Sequence, residues 1–162
     1  MVDMSINKGG NHMDHEAITN FIKLNTKIYR NTQIYLDKAL KEYELSSGAC
    51  PYLFILDKNE GISQNKISKI TCNDKAMSAR TIAKLIQLGF VYKEQDELDS
   101  RANKLYLTTK AKELMPDIYE KYHGMINLVT EELSEEEKQI TMNSLKRIYD
   151  KIHWLNARGE KE

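Results

Sequence analysis

Ser63 to Lys93 reads SQNKISKITCNDKAMSARTIAKLIQLGFVYK, and its local signals set the rest of the chain in order. Ser63 is a helix-capping residue type just ahead of Ile67 and Ile70, and Asn73 or Asp74 stands in the same relation to Ala79, Ile82, Leu85 and Ile86. Gly89 closes the second segment, because glycine is free to take the positive φ of a helix end. Two short helices across a tight turn, Thr71-Cys72-Asn73, are therefore expected. Phe90-Val91-Tyr92-Lys93 is then β-prone, Glu94 to Asn103 is polar and turn-like, and Leu105-Tyr106-Leu107 is β-prone again. That pattern predicts a hairpin with a long tip.

Charge follows the same boundaries. The whole chain is neutral, with 24 Lys plus Arg against 24 Asp plus Glu. Between Ser63 and Lys93, however, Lys66, Lys69, Lys75, Arg80, Lys84 and Lys93 face the single acid Asp74, a local balance of +5. From Thr108 to Glu137 the balance reverses to −5, with three lysines against eight acids. Phosphate contacts supply most non-specific affinity for DNA and need Lys and Arg on the approaching face, so the basic block is the candidate DNA-contacting part.

Outward from that block, the flanks are helical. Between Gly10 and Gly48 there is neither Gly nor Pro, and apolar residues recur at helical spacing from Ile18 through Phe21, Ile22, Ile28, Tyr29 and Tyr35 to Leu40 and Tyr43. A helix from about His15 to Glu44 would reach about 45 Å, more than one small domain needs for its own core, which points to a partner chain. Residues 46–51 break it, and Pro51 suits the first turn of a short helix to about Asn59. The helical period returns from Thr108 to about Leu133, with Pro116 as an expected kink, and Ser134 with Glu137 forms a capping box for a last helix carrying Ile140, Leu145, Ile148, Ile152 and Leu155. The predicted fold is mainly α: a winged helix-turn-helix with a two-stranded β wing between long N- and C-terminal dimerisation helices. The expected divisions are a tail over 1–14, a first dimerisation helix over 15–45, a DNA-binding domain over 46–108 and C-terminal dimerisation helices over 109–158.

Ser63 to Leu85 matches one family's pattern without gaps through the helix-turn-helix, with Asp74-Lys75 at the start of its second helix, and Gly89-Phe90-Val91, Asp99-Ser100-Arg101 in the hairpin tip and Leu105-Tyr106-Leu107-Thr108 follow in order. The chain resembles the MarR-type transcriptional regulators of bacteria over about residues 15–155. The resemblance implies a homodimer on double-stranded DNA, placing two recognition helices in successive major grooves of a pseudo-palindrome. It also implies repression of nearby genes and release by a small aromatic or phenolic effector. DNA contacts are expected from Ser63, Gln64, Lys75, Met77, Ser78, Arg80, Thr81, Lys84, Asp99 and Arg101. Met77, Ser78, Thr81 and Lys84 are expected on the exposed side of the recognition helix, with Ala79, Ile82, Leu85 and Ile86 packed inward. Arg80 would grip phosphate, and Asp99 would orient the Arg101 guanidinium in a narrow minor groove. Tyr29, Arg30 and Tyr52 are the expected effector-binding side chains. The chain departs from the family pattern at Thr71-Cys72-Asn73, where Cys72 replaces a residue that tolerates positive φ, at Ser100-Arg101, with one arginine where two are common, and at Ala111, where Gly often stands.

Other chemistries find little footing. Cys50 and Cys72 are too few and too far apart for a CxxC pair or a disulfide framework, and are expected as small buried or half-buried side chains in a reducing cytosol. His12, His15, His123 and His153 lack the spacing of paired metal ligands, so neither a metal nor a cofactor is expected. There is no Gly-rich phosphate loop, nucleophile elbow or HExxH, which argues against an enzyme. The first fifteen residues hold no apolar h-region, and the longest uncharged run, Leu45 to Leu56, has 12 residues where a span needs about 20, so a cytoplasmic protein without membrane insertion is expected. The rival from another class is a winged helix that docks a protein partner and has lost DNA binding, against which the basic block argues.

Overall fold

The computed structural model describes residues 14–95 and 103–159, and the chain forms two compact units that meet in sequence at Met115/Pro116. In chain order the elements are α1 (His15–Ala39), a 3-10 turn (Lys41–Tyr43), α2 (Cys50–Lys58), β1 (Ile62–Ser63), α3 (Gln64–Ile70), α4 (Lys75–Gln87), β2 (Val91–Gln95), β3 (Asn103–Leu107), α5 (Thr109–Val129) and α6 (Glu135–Gly159). This is a winged helix-turn-helix flanked by long helices.

The first unit begins at Asp14, whose Oδ1 accepts the Ala17 N–H at 2.7 Å and caps α1. α1 has 25 residues, about 37 Å of helix, and stops short of the expected Glu44. No Gly or Pro ends it. Leu36 and Leu40 are buried, the chain tightens into the 3-10 turn at Lys41, and Glu44 takes a left-handed φ of 55°. The Asp37 carboxylate then accepts the Ser47 N–H at 2.6 Å, tying the following loop back to the helix. α2 begins at Cys50, with Pro51 in its first turn, and buries Cys50, Tyr52, Leu53 and Leu56.

Both short helices are capped as their sequence suggests. Ser63 Oγ accepts from Lys66 N at 3.4 Å, and of the two candidates for α4 it is Asp74 whose carboxylate accepts from Met77 N at 2.7 Å. Gly89, at φ 74°, ends α4 with paired bonds in which Gly89 N–H donates to Ile86 O and Phe90 N–H to Leu85 O, both at 2.9 Å.

The turn between α3 and α4 carries Cys72 at φ 53°, and Cys72 is exposed rather than buried or half-buried as expected, whereas Cys50 is fully buried. A left-handed conformation costs a residue with a Cβ about 1–2 kcal/mol. Cys72→Gly is therefore expected to stabilise the protein by up to about 1 kcal/mol after glycine's own entropic cost, read as a raised thermal midpoint. An unchanged or lower midpoint would mean that the turn is held by more than backbone geometry.

The sheet has three strands in the order β1-β3-β2, antiparallel throughout, where sequence pointed to two. Ile62 pairs with Leu105 and Ser63 with Lys104, while β2 and β3 pair from Val91–Leu107 to Gln95–Asn103. β1 is two residues long, too short to show alternation. Leu105 and Leu107 point into the core with Phe90, Val91, Ile67, Ile82 and Leu85.

α5 runs through Pro116 into the second unit and ends at Val129, earlier than the expected Leu133. The Ser134 N–H and hydroxyl both donate to Glu137 Oε2 at 2.8 Å, and Glu137 N–H returns a bond to Ser134 Oγ at 3.3 Å, completing the box at the start of α6. The backbone bond, with the hydroxyl adding to it, holds the Glu137 carboxyl below its usual range. A depressed carboxylate contributes stability above its unfolded pKa, and this contribution is lost as the pH falls through the lowered value.

Candidate nucleic-acid interface

α4 is amphipathic in a way that fixes its outward face. Ser78, Ile82 and Leu85, at helical spacing, turn into the core, and Lys75, Ala76, Met77, Arg80, Ala83, Lys84 and Gln87 are exposed. Three cations thus project from one helix, and Met77, at 45% exposure, lies on the same stripe as Arg80 and Lys84. Long flexible cations on an exposed helix face can follow phosphates on both sides of a groove, and a thioether at the same face suits apolar contact with a thymine methyl.

One expectation for this helix is corrected. Ser78 is not on the outer side: its exposure is 0%, and its Oγ lies 3.0 Å from the Tyr52 hydroxyl in a buried hydrogen bond. Thr81 is half-buried and its hydroxyl donates to Met77 O at 3.1 Å. A serine or threonine can turn inward when a polar partner waits there, and Tyr52, 26 residues earlier, supplies one for Ser78. Ala79 and Ile86, expected inside, are half-buried. The long side chains that α4 exposes are therefore Lys75, Met77, Arg80, Lys84 and Gln87.

Ser63 and Gln64 open α3 and are half-buried; the Ser63 hydroxyl serves as the helix cap and the Gln64 carbonyl accepts from Ser68 Oγ at 3.0 Å. Lys66 and Lys69 are exposed along α3. Asp99 and Arg101 lie outside the described residues.

The base of the wing carries contacts that the sequence did not suggest. Tyr92 and Tyr106, directly paired across β2 and β3, stack with ring centroids 5.3 Å apart. Thr108 Oγ1 donates to Gly89 O at 2.7 Å, Lys110 donates to Leu88 O at 2.9 Å and stands 4.5 Å over the Phe90 ring, and Lys112 pairs with Glu60. Lys110 thereby braces the end of α4 against the start of α5, and Lys112 ties α5 to the turn between α2 and β1. The aromatic pair has a period-2 signal in sequence, but its stacking depends on a register that the long tip leaves open.

The three expected effector residues do not share a surface. Tyr29 and Arg30 are exposed on α1, where the Tyr29 hydroxyl accepts from Gln33 Nε2 at 3.1 Å, whereas Tyr52 is wholly buried with its hydroxyl engaged by Ser78 and Asn73. Tyr52 is therefore corrected from an effector contact to a core residue of the winged unit. Among the described residues no three His, Cys, Asp or Glu side chains cluster as a metal site would need, and no helix is long and apolar enough to cross a membrane.

Comparison with known proteins agrees with this geometry. The model of the MarR family matches residues 45–102. The chain is 32% identical over 139 residues to the HTH-type transcriptional regulator BilQ of Clostridioides difficile (strain CD3), covering 86% of this chain and 92% of that protein. Among solved structures it is similar to a MarR transcriptional regulator from Methanosarcina mazei Go1, at TM-score 0.80 and 29% identity over 85% of this chain and 99% of that one. It is also similar to a MarR protein from Peptoclostridium difficile, at TM-score 0.82 and 26% identity over 93% and 99% of the two chains.

Proposed function

Because the chain belongs to the MarR family of transcriptional regulators, we propose that it binds double-stranded DNA as a two-fold homodimer, represses the genes beside its operator and is released by a small-molecule effector. The observation that carries the DNA-binding part is the outward face of α4, where Met77 shares an exposed stripe with Arg80 and Lys84, and Lys75 stands exposed in the first turn, on a helix anchored by Ser78, Ile82 and Leu85. Arg80 and Lys84 grip phosphates along the major groove and Met77 meets the base edges; Ser63, Gln64, Asp99 and Arg101 act at the flanks and wing. Dimerisation is supported by apolar side chains left in solvent on both long elements: Ile18, Phe21, Ile22 and Ile28 on α1, and Leu145, Ile148, Ile152 and Leu155 on α6. Effector release is a two-state process in which the ligand prefers the form whose two heads no longer match successive grooves. Tyr29 and Arg30 remain the proposed effector contacts; their surface on α1 adjoins the apolar stripe through which the partner is proposed to bind.

The test is selection from a randomised duplex pool by the purified protein. Enrichment of a pseudo-palindrome with half-sites about one helical turn apart is expected, with thymine where Met77 enters the groove. Recovery of an unenriched pool would overturn the operator-binding reading.

A further inference from the structure

Tyr52 ties together three parts of the first unit by way of one hydroxyl. It projects from α2, and its oxygen receives the Asn73 Nδ2–H at 3.0 Å from the turn between the two short helices. The same oxygen lies 3.0 Å from Ser78 Oγ, on the inner face of α4 one turn past the Asp74 cap. Tyr52 and Ser78 both have 0% exposure, and no buried side-chain nitrogen or oxygen among the described residues lacks a partner. Burial raises the phenol's pKa, yet the hydroxyls of Ser78, Thr71 and Thr81 and the Asn73 amide outweigh it and bring the group below the ordinary tyrosine range. Polar side chains thus surround this hydroxyl from α3's end, the turn and α4 alike.

An apolar pair would fill the same space at similar stability, since replacing both partners of a buried hydrogen bond is close to neutral. What the hydrogen bonds add is direction: a satisfied buried network selects one arrangement of the elements it joins. Ser78 follows Met77 and precedes Arg80 by two residues, so the rotation and tilt of α4 that the Tyr52–Ser78 bond fixes also aim those two outward side chains. We propose that Tyr52 is a positioning residue for operator recognition, orienting the first half of α4 through Ser78 and Asn73 while touching no DNA itself. This inference rests on the DNA-binding reading above.

Tyr52→Phe, Ser78→Ala and the double variant separate positioning from stability. Tyr52→Phe leaves the buried Ser78 hydroxyl and the half-buried Asn73 amide without their partner and lowers the thermal midpoint; adding Ser78→Ala removes the buried hydroxyl and recovers the part of the loss that it causes, while the Asn73 amide turns to solvent. On the duplex enriched by the wild-type protein and on a scrambled duplex, each variant is expected to lose about tenfold in the operator-over-scrambled ratio, the size of one spoiled base contact. Affinity for the scrambled duplex should fall less than affinity for the operator, with its salt slope near the wild-type value, because the long Arg80 side chain can follow its phosphate from a slightly turned helix. A double variant that regains stability and keeps the wild-type ratio would overturn the proposal, leaving Tyr52 a packing residue. Should Tyr52→Phe fail to fold, Ser78→Ala alone breaks the same bond while Tyr52 keeps Asn73, and its ratio decides in the same way. A wild-type protein with no salt-dependent duplex binding fails the DNA-binding reading first and removes this inference with it.

Discussion

Ile148→Asp is expected to turn the protein into a folded monomer and to abolish tight operator binding. Leu145, Ile148, Ile152 and Leu155 recur at helical spacing on α6 and stand between 37% and 52% exposed in the single chain, a surface that a soluble protein rarely leaves open. If the second copy covers it, the substitution buries two carboxylates per dimer. At about 2 kcal/mol or more each, two such groups raise the dimer dissociation constant about a thousandfold. Operator affinity falls with it, because each half-site alone binds poorly. Sedimentation of wild type and variant, together with operator binding by each, checks both steps. A wild-type chain that sediments as a folded monomer of about 19 kDa, or a variant that stays dimeric with full affinity, would remove α6 from the interface.

Arg80→Ala with Lys84→Ala is expected to weaken binding to every duplex by about three orders of magnitude at 0.1 M salt, with two lost phosphate contacts per protomer and four per dimer. The slope of log affinity against log salt should flatten by about four units, at roughly one per lost cationic contact. Both side chains are exposed on α4, and the fold does not depend on them, so the variant's thermal midpoint should stay near the wild type. Equal losses on operator and scrambled duplex mark phosphate contacts. A loss confined to the operator would make either residue a base reader instead.

The elements written in local chemistry were legible in the sequence. Ser63, Asp74 and the Ser134–Glu137 box each cap the helix that follows, and Gly89 ends α4 with the bonds its type favours. Features set by distant partners were not. Ser78 reads as a surface residue by polarity, and only Tyr52, 26 positions away, gives it a reason to turn inward. β1 has two residues and owes its existence to β3, 40 residues later. The end of α1 carries no breaker, because burial of Leu36 and Leu40 and a left-handed Glu44 turn the chain where the apolar period itself continues to Tyr43. Cys72 holds a backbone conformation that its residue type disfavours, so the turn's position was readable while its geometry was not.

The most direct test of the central claim is the salt dependence of wild-type binding to an arbitrary double-stranded DNA. Arg80 and Lys84 of two protomers give a log–log slope of about −3.6, made steeper by any contact from Lys66, Lys75 or the wing. A steep negative slope in that range is the result expected of a dimeric DNA binder. Binding that is absent or indifferent to salt would contradict it and leave the winged unit as a docking module for another protein.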